Sequence, residues 1–360
     1  MPGAICTIII PTHERHDILL RAIDYYQHFD CNVSIADSSA RKMNYEFPDN
    51  FTYEHLPCVG FATKIFKVAK DVTTPYVCLV NDDDYLIESS LKAGACFLND
   101  NPDYASTQGR YYKFELIENQ VIFSPRYDLD SFHHVVESED RASRFARAFN
   151  PYFPLYSAIN RTDLFTKSFQ ISGGSSSCKE TYLKGIPLTE ILVPFIPMFY
   201  GKYKAIPVLW MVRDSFIFDK IRRQKVRANK SDIDYSASYN FRRYTHAAKA
   251  VENFLNSEEF RQLKKSFRDT TSGVVINKES DMLFNLAFKS YIKWLISDRN
   301  KVVTKIIIKL FTPNWVLKHF KARKKKQYAS GIEETLFESD LNKVRLSVLA
   351  FRKCYDGYRE

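Results

Sequence analysis

Glycine is scarce, at 11 of 360 residues, so the loops must be built mostly from Asn, Asp, Ser and Pro. Cysteine is odd in number, at seven (Cys6, Cys31, Cys58, Cys78, Cys96, Cys178, Cys354), and no CxxC pair occurs, which removes the spacing of a common zinc site. Several of these thiols lie inside apolar runs, where Cys acts as a small hydrophobe. Reduced thiols and a cytoplasmic setting are therefore expected. No uninterrupted apolar run approaches the roughly 18 residues of a membrane span. The stretch MPGAICTIIIPTHER does not have the build of a signal peptide. The expectation is a soluble chain, or one attached peripherally to the inner face of the plasma membrane. A Walker-type phosphate loop is missing, and the acids from Asp82 onward do not alternate around a central Gly as a calcium loop requires.

Aromatic residues fill the place of the missing glycine. There are 28 Phe and 22 Tyr, and 45% of the chain is hydrophobic, which argues against global disorder and for a core rich in rings. The length suits two ordinary domains, or one with a sizeable extension. The net charge of +10 fits nucleic acid, anionic lipid or a phosphorylated small molecule equally well.

The first hundred residues alternate between two periodicities. Cys6 to Ile10 is an apolar, β-branched run that reads as a buried strand. Asp17 to Phe29 has helical spacing. Val33 to Ala36 and Phe51 to Leu56 read as strands, Phe61 to Lys70 as helix, Tyr76 to Val80 as strand and Ser89 to Leu98 as helix. That order predicts an α/β fold with an open, largely parallel sheet and helices on its faces. Two strands are expected between Tyr104 and Phe123, turning at Glu118-Asn119, then a helix over Ser138 to Phe149, a strand over Leu155 to Asn160 and a helix from Thr162. The run Ser172 to Ser177 reads as a mobile loop. A helix over Thr189 to Tyr200 and a last strand over Ala205 to Val212 complete the pattern. Lys220 to Lys230 is strongly basic, and helical patterns prevail beyond it, so a boundary is expected near 225. This gives a catalytic domain over 1–224 and a basic, mainly helical domain over 225–360.

The sharpest motif is Asn81-Asp82-Asp83-Asp84, directly after an apolar strand. Ligands of open α/β sheets bind beyond the carboxyl ends of the strands. Three adjacent carboxylates repel one another and are costly unless a cation neutralises them. Oxygen ligands of this kind suit Mn²⁺ or Mg²⁺, which usually share their shell with substrate phosphates. A solvated Asp-rich turn is the bland alternative. Asp37, at the end of the second strand, is placed to accept hydrogen bonds from a base or ribose, or simply to form an Asx turn with Ser38 and Ser39. Pro11-Thr12-His13-Glu14-Arg15 is a polar loop opening a helix, whose N-terminus favours phosphate or polar ligands.

Together these strand ends resemble the GT-A glycosyltransferases, family 2 in the broad sense, of the kind that builds bacterial polysaccharides and surface glycans. The resemblance covers roughly residues 5 to 214. It implies a nucleotide-sugar donor, most commonly UDP-linked, with Pro11, Thr12 and His13 lining the base, Asp37 holding it, and Asp82 and Asp83 meeting the donor. Asp84, with Asp82, would ligate the cation. Lys64 matches the family's basic side chain before the fourth strand, and Arg213 would add positive charge near the diphosphate or pair with Asp214. The base is placed at Glu190, with Glu180 as the backup; the acid that usually follows is replaced here by Ile191. The resemblance also implies inversion at the anomeric carbon. No Gln-x-x-Arg-Trp motif of processive synthases is found, which favours single-sugar addition to a hydroxyl of a glycan or lipid-linked acceptor. The rivals are a nucleotidyl- or phosphotransferase on the same fold, and a non-catalytic membrane- or glycan-binding scaffold.

Lys301 to Lys326 interleaves apolar bulk and Trp315 with a lysine-rich border, which suits a helix lying on an anionic membrane surface. It equally suits a helix packed on the catalytic domain. No module for nucleic acid accompanies the charge. An oligomer stays open.

Overall fold

The computed structural model describes residues 4–117, 120–126, 135–140, 155–173, 200–214 and 337–352, with isolated residues and short pieces between 144 and 198. The expected alternation is present. Strand β1 (Cys6–Thr12) leads into α1 (His16–Tyr26), followed by β2 (Asn32–Asp37), β3 (Phe51–His55), α2 (Phe61–Ala69) and β4 (Tyr76–Leu79). A two-residue strand that the pattern does not predict, β5 (Tyr85–Leu86), precedes α3 (Glu88–Asp100). The long β6 (Tyr104–Ile117) and β7 (Gln120–Pro125) form the expected antiparallel pair. Then come β8 (Val135–Val136), β9 (Ile159–Arg161), α4 (Thr162–Gly173), the small ribbon β10 (Tyr182–Leu183) with β11 (Ile186–Pro187), and β12 (Lys202–Asp214). A C-terminal helix, α5, covers Glu338–Ala350.

The main sheet runs β3-β2-β1-β4-β9-β6-β12-β5, with β7 on β6 and β8 on β12. From β3 to β4 every pairing is parallel. Strand β9 runs against both of its neighbours, so β6, and β12 beside it, point the same way as β4. The fold is α/β with a mostly parallel sheet.

Burial on both faces explains the apolar strands. Ile8 and Ile10 face one side with Leu19 and Ile23 of α1 and Leu91, Ala95 and Leu98 of α3. Ile9 faces the other with Ile65 and Val68 of α2 and Phe165 and Phe169 of α4. Period-2 alternation along β1 thus feeds two helical layers. A third cluster joins Tyr112 and Phe114 of β6 and Val212 of β12 to Leu341, Val344 and Val348 of α5. Helix α5 is therefore built into the core of the first 214 residues.

Several boundaries differ from the sequence pattern. The strand expected over Leu155 to Asn160 is confined to Ile159–Arg161, because Ala158 closes a backbone bond to Leu155 in a turn (3.2 Å). The last strand extends to Asp214, so Arg213 lies within it. Ser172 and Gly173, expected in a loop, end α4 instead. The boundary near 225, most of the helix over 138–149, and the segment 301–326 fall outside the described residues. Among the described residues no helix is long and apolar enough to cross a membrane.

Candidate functional site

The carboxyl ends of β1, β2 and β4 lie side by side, since Thr12 is paired with Asp37 and Ile9 with Leu79 in parallel register. Just beyond β1 the backbone turns through Glu14, whose φ of 53° is left-handed. That strained conformation is held by Ser39 Oγ, which accepts from the Glu14 amide at 2.8 Å. The Glu14 carboxylate in turn accepts from the Ala40 amide at 2.6 Å. The turn sends Arg15 toward the acidic motif and His16 toward Asp37.

Asp37 is fully buried. It accepts from His16 Nε2 at 2.8 Å, from the Tyr53 hydroxyl at 2.7 Å and from the Ser39 amide at 2.8 Å. Burial alone would raise its pKa. The bonds from Ser39, Tyr53 and His16 outweigh it, so the carboxyl lies below its ordinary range. Tyr53 is pushed up to about 12, by burial first and then by the Asp37 bond. Lys64 is buried, and its ammonium donates to the Thr12 carbonyl at 2.6 Å and to Ser38 Oγ at 3.0 Å. The His13 ring Nδ1 sits 3.1 Å from the Ser38 carbonyl.

The three acids after β4 are buried, at 0%, 8% and 4% exposure for Asp82, Asp83 and Asp84, which rules out the solvated-turn alternative. Thr12 Oγ1 donates to Asp82 Oδ2 at 2.8 Å. Arg15 pairs with Asp82 Oδ1 through one nitrogen and reaches Asp83 Oδ2 at 3.0 Å through the other. Arg213 Nε meets Asp84 Oδ2 at 3.2 Å, and Asn81 donates to the same oxygen at 3.0 Å. The Asp214 amide takes Asp84 Oδ1 at 3.2 Å. Burial pushes the Asp82 carboxyl up to about 7 against the opposing pull of Arg15. Asp84 is raised for the same reason, with Arg213 opposing.

The divalent ion implied by the resemblance would take Asp84 and Asp82, whose oxygens lie against donors of the chain. Both oxygens of Asp82 and of Asp84 are engaged by hydroxyl, amide or guanidinium donors of the chain. Among the described residues no group of three or more His, Cys, Asp or Glu converges as a metal would need. The guanidinium groups of Arg15 and Arg213 lie against these carboxylates.

Of the residues singled out in the sequence, Thr12, His13, Asp37, Lys64, Asp82, Asp83, Asp84 and Arg213 gather at these strand ends, with Pro11 buried one residue before Thr12. Glu190 and Glu180 lie outside the described residues. The sequence reading assigns no role to His16, Arg21 or Tyr53, takes Arg15 only as part of the loop after β1, and offers Asp214 as a partner of Arg213, whereas Asp214 pairs with Arg21 and Arg213 with Asp84. Arg21 carried a usable signal: it falls between Ile18 and Ala22 on the apolar stripe of α1, where a charge needs a buried partner.

No family model matches the sequence, and no curated protein matches it. Among solved structures, S. aureus TarS 1–349 is similar over 82% of this chain and 91% of that one, with 13% identity and a TM-score of 0.43. The same protein in complex with UDP-GlcNAc gives 82% and 92%, 13% identity and a TM-score of 0.44. Its complex with UDP gives 82% and 91%, 13% and 0.41.

Proposed function

We propose that this chain is a glycosyltransferase that takes one sugar from a nucleotide-sugar donor, UDP-linked by the family resemblance, and adds it to a hydroxyl of a glycan or lipid-linked acceptor. The observation that carries the reading is the buried polar edge in which Thr12 joins Asp82 at one strand end while Asp37 closes the next. Ligands of open α/β sheets lie across such neighbouring carboxyl ends. An edge of this cost is kept where a polar ligand completes it.

On this reading the base lies toward Asp37 and the ribose toward Asp82. Arg15 and Arg213, each about a quarter to a third exposed, present guanidinium donors to the diphosphate. Glu190 takes the proton of the acceptor hydroxyl as its oxygen attacks the anomeric carbon. The carbon–oxygen bond to the nucleoside diphosphate breaks in the same displacement, which inverts the centre.

The test is a melting-temperature screen of the full chain with UDP-, GDP- and ADP-sugars, followed by product analysis for the sugar that stabilises it. A shift for one nucleotide series together with release of the nucleoside diphosphate supports the reading. Release of pyrophosphate or inorganic phosphate instead points to a nucleotidyl- or phosphotransferase, and the absence of any shift points to a scaffold.

A further inference from the structure

Arg21 is a charged residue in the middle of the apolar stripe of α1, and it is 1% exposed. Burying a guanidinium costs several kcal/mol unless charge and hydrogen bonds repay it. Here it donates to Asp214 Oδ2 at 3.1 Å and to the backbone carbonyl of Asp83 at 2.8 Å. Its carbon centre also lies 4.8 Å from the centroid of the Tyr85 ring. Five residues on, the Tyr26 hydroxyl donates to the Asp84 carbonyl at 3.1 Å and accepts from the Leu86 amide at 2.8 Å. The acidic turn is thus gripped by its backbone from α1, independently of what its side chains bind.

Tyr85 follows the last of the three acids and connects this grip to the far end of the chain. Its ring meets Tyr25 edge-on at 4.8 Å and Phe114 at 5.8 Å. Leu341, Val344 and Val348 of α5 pack in the same cluster. The Tyr85 hydroxyl and Ser347 Oγ of α5 are both buried, and neither has a hydrogen-bond partner at normal distance. These two hydroxyls face each other across the joint. They are the polar point of an otherwise apolar contact.

We infer that α5 is a positioning element of the donor site: its docking on Tyr85 sets Arg21, and Arg21 sets the backbone of Asp82 to Asp84. The inference rests on the proposed nucleotide-sugar reading only for what the turn binds. The coupling itself is a property of the ligand-free chain. A structural region more than two hundred residues away in sequence then controls the shape of the strand end that meets the donor.

Hydrogen exchange on the full chain tests the coupling. Three variants are compared with the wild type: Val348→Ala in α5, Arg21→Lys in α1, and Ile65→Ala on the opposite face of the sheet as a control for general destabilisation. The expected result is at least tenfold faster exchange at the Asp84 and Leu86 amides in the first two. The control changes those amides less than twofold at a matched loss of melting temperature. UDP affinity, read by calorimetry well below melting, should fall tenfold or more for Val348→Ala and Arg21→Lys but not for Ile65→Ala. Unchanged exchange at the turn in Val348→Ala overturns the inference. Altered exchange in the two variants, together with a wild type that binds none of UDP, GDP and ADP, keeps the coupling and overturns the donor reading beneath it.

Discussion

The hydroxyl of Thr12 donates to the buried carboxylate of Asp82 at 2.8 Å, across 70 residues of sequence. This bond locks the end of the first strand to the acidic turn after the fourth. It also leaves Asp82 with no oxygen idle, since Arg15 takes the other.

Replacing Thr12 by Val keeps the shape and removes the donor. A buried carboxylate short of one bond costs about 1–3 kcal/mol, so Thr12→Val should melt several degrees below the wild type while Thr12→Ser stays close to it. Differential scanning calorimetry of the three proteins checks this. Equal melting of Val and Ser variants would show that the hydroxyl contributes nothing.

Asp37 gives a pH dependence with a fixed sign. Its folded pKa is lower than its ordinary value, so the ionised group adds stability above about pH 4, near the unfolded carboxyl. That stability is lost as pH falls through the lower folded value. Asp37→Asn should therefore be less stable than wild type at pH 7, by about 1–3 kcal/mol for bonds to a charged group. The gap should close below the acid range. Urea titrations at pH 7, 5 and 3.5 measure it; a gap that widens toward acid contradicts the assignment.

Arg15 covers Asp82 and Asp83 together. Arg15→Ala removes the guanidinium that opposes burial at Asp82, so this carboxyl is pushed further up and the variant should melt below the wild type. Mn²⁺ should then raise the melting temperature of the variant more than that of the wild type, because uncovered carboxylates become available to it. A wild type that gains as much from Mn²⁺ as the variant would mean that Arg15 does not compete for those oxygens.

The core makes a prediction of its own. At Gly94 of α3 an added Cβ would stand 2.9 Å from Ile159 Cγ2 and 3.1 Å from the Trp210 ring. Both neighbours are buried, so Gly94→Ala should cost about 1–3 kcal/mol by overpacking. The loss should appear in melting temperature with nucleotide affinity unchanged.

The strand ends were legible because their signal is local: an apolar run followed by Thr12, Asp37 or Asp82 declares itself within a few residues. The partners were not, because they arrive from elsewhere in the chain. Arg15 stood in plain sight in the loop after β1, yet its charge reads as a ligand for phosphate until the fold shows it on Asp82 and Asp83. Tyr53 is one of 22 tyrosines and gains meaning only through the parallel pairing of β2 with β3, where Glu54 is opposite Ala36 and His55 opposite Asp37. Composition drew a boundary near 225, while packing returned Leu341, Val344 and Val348 to the core beside Tyr85 and Phe114. Periodicity reports that a helix has an apolar face, and it is silent on which distant surface that face will cover.

The central claim is that a nucleotide-sugar lies across the ends of β1, β2 and β4. Photolabelling of the full chain with an azido-UDP-sugar, followed by peptide mapping, tests it most directly. The account predicts label within 11–16, 37–39 or 51–55, lost on competition with unlabelled UDP-sugar and in Asp37→Asn. Competable label confined to parts of the chain outside these ranges and outside 81–84 would contradict it.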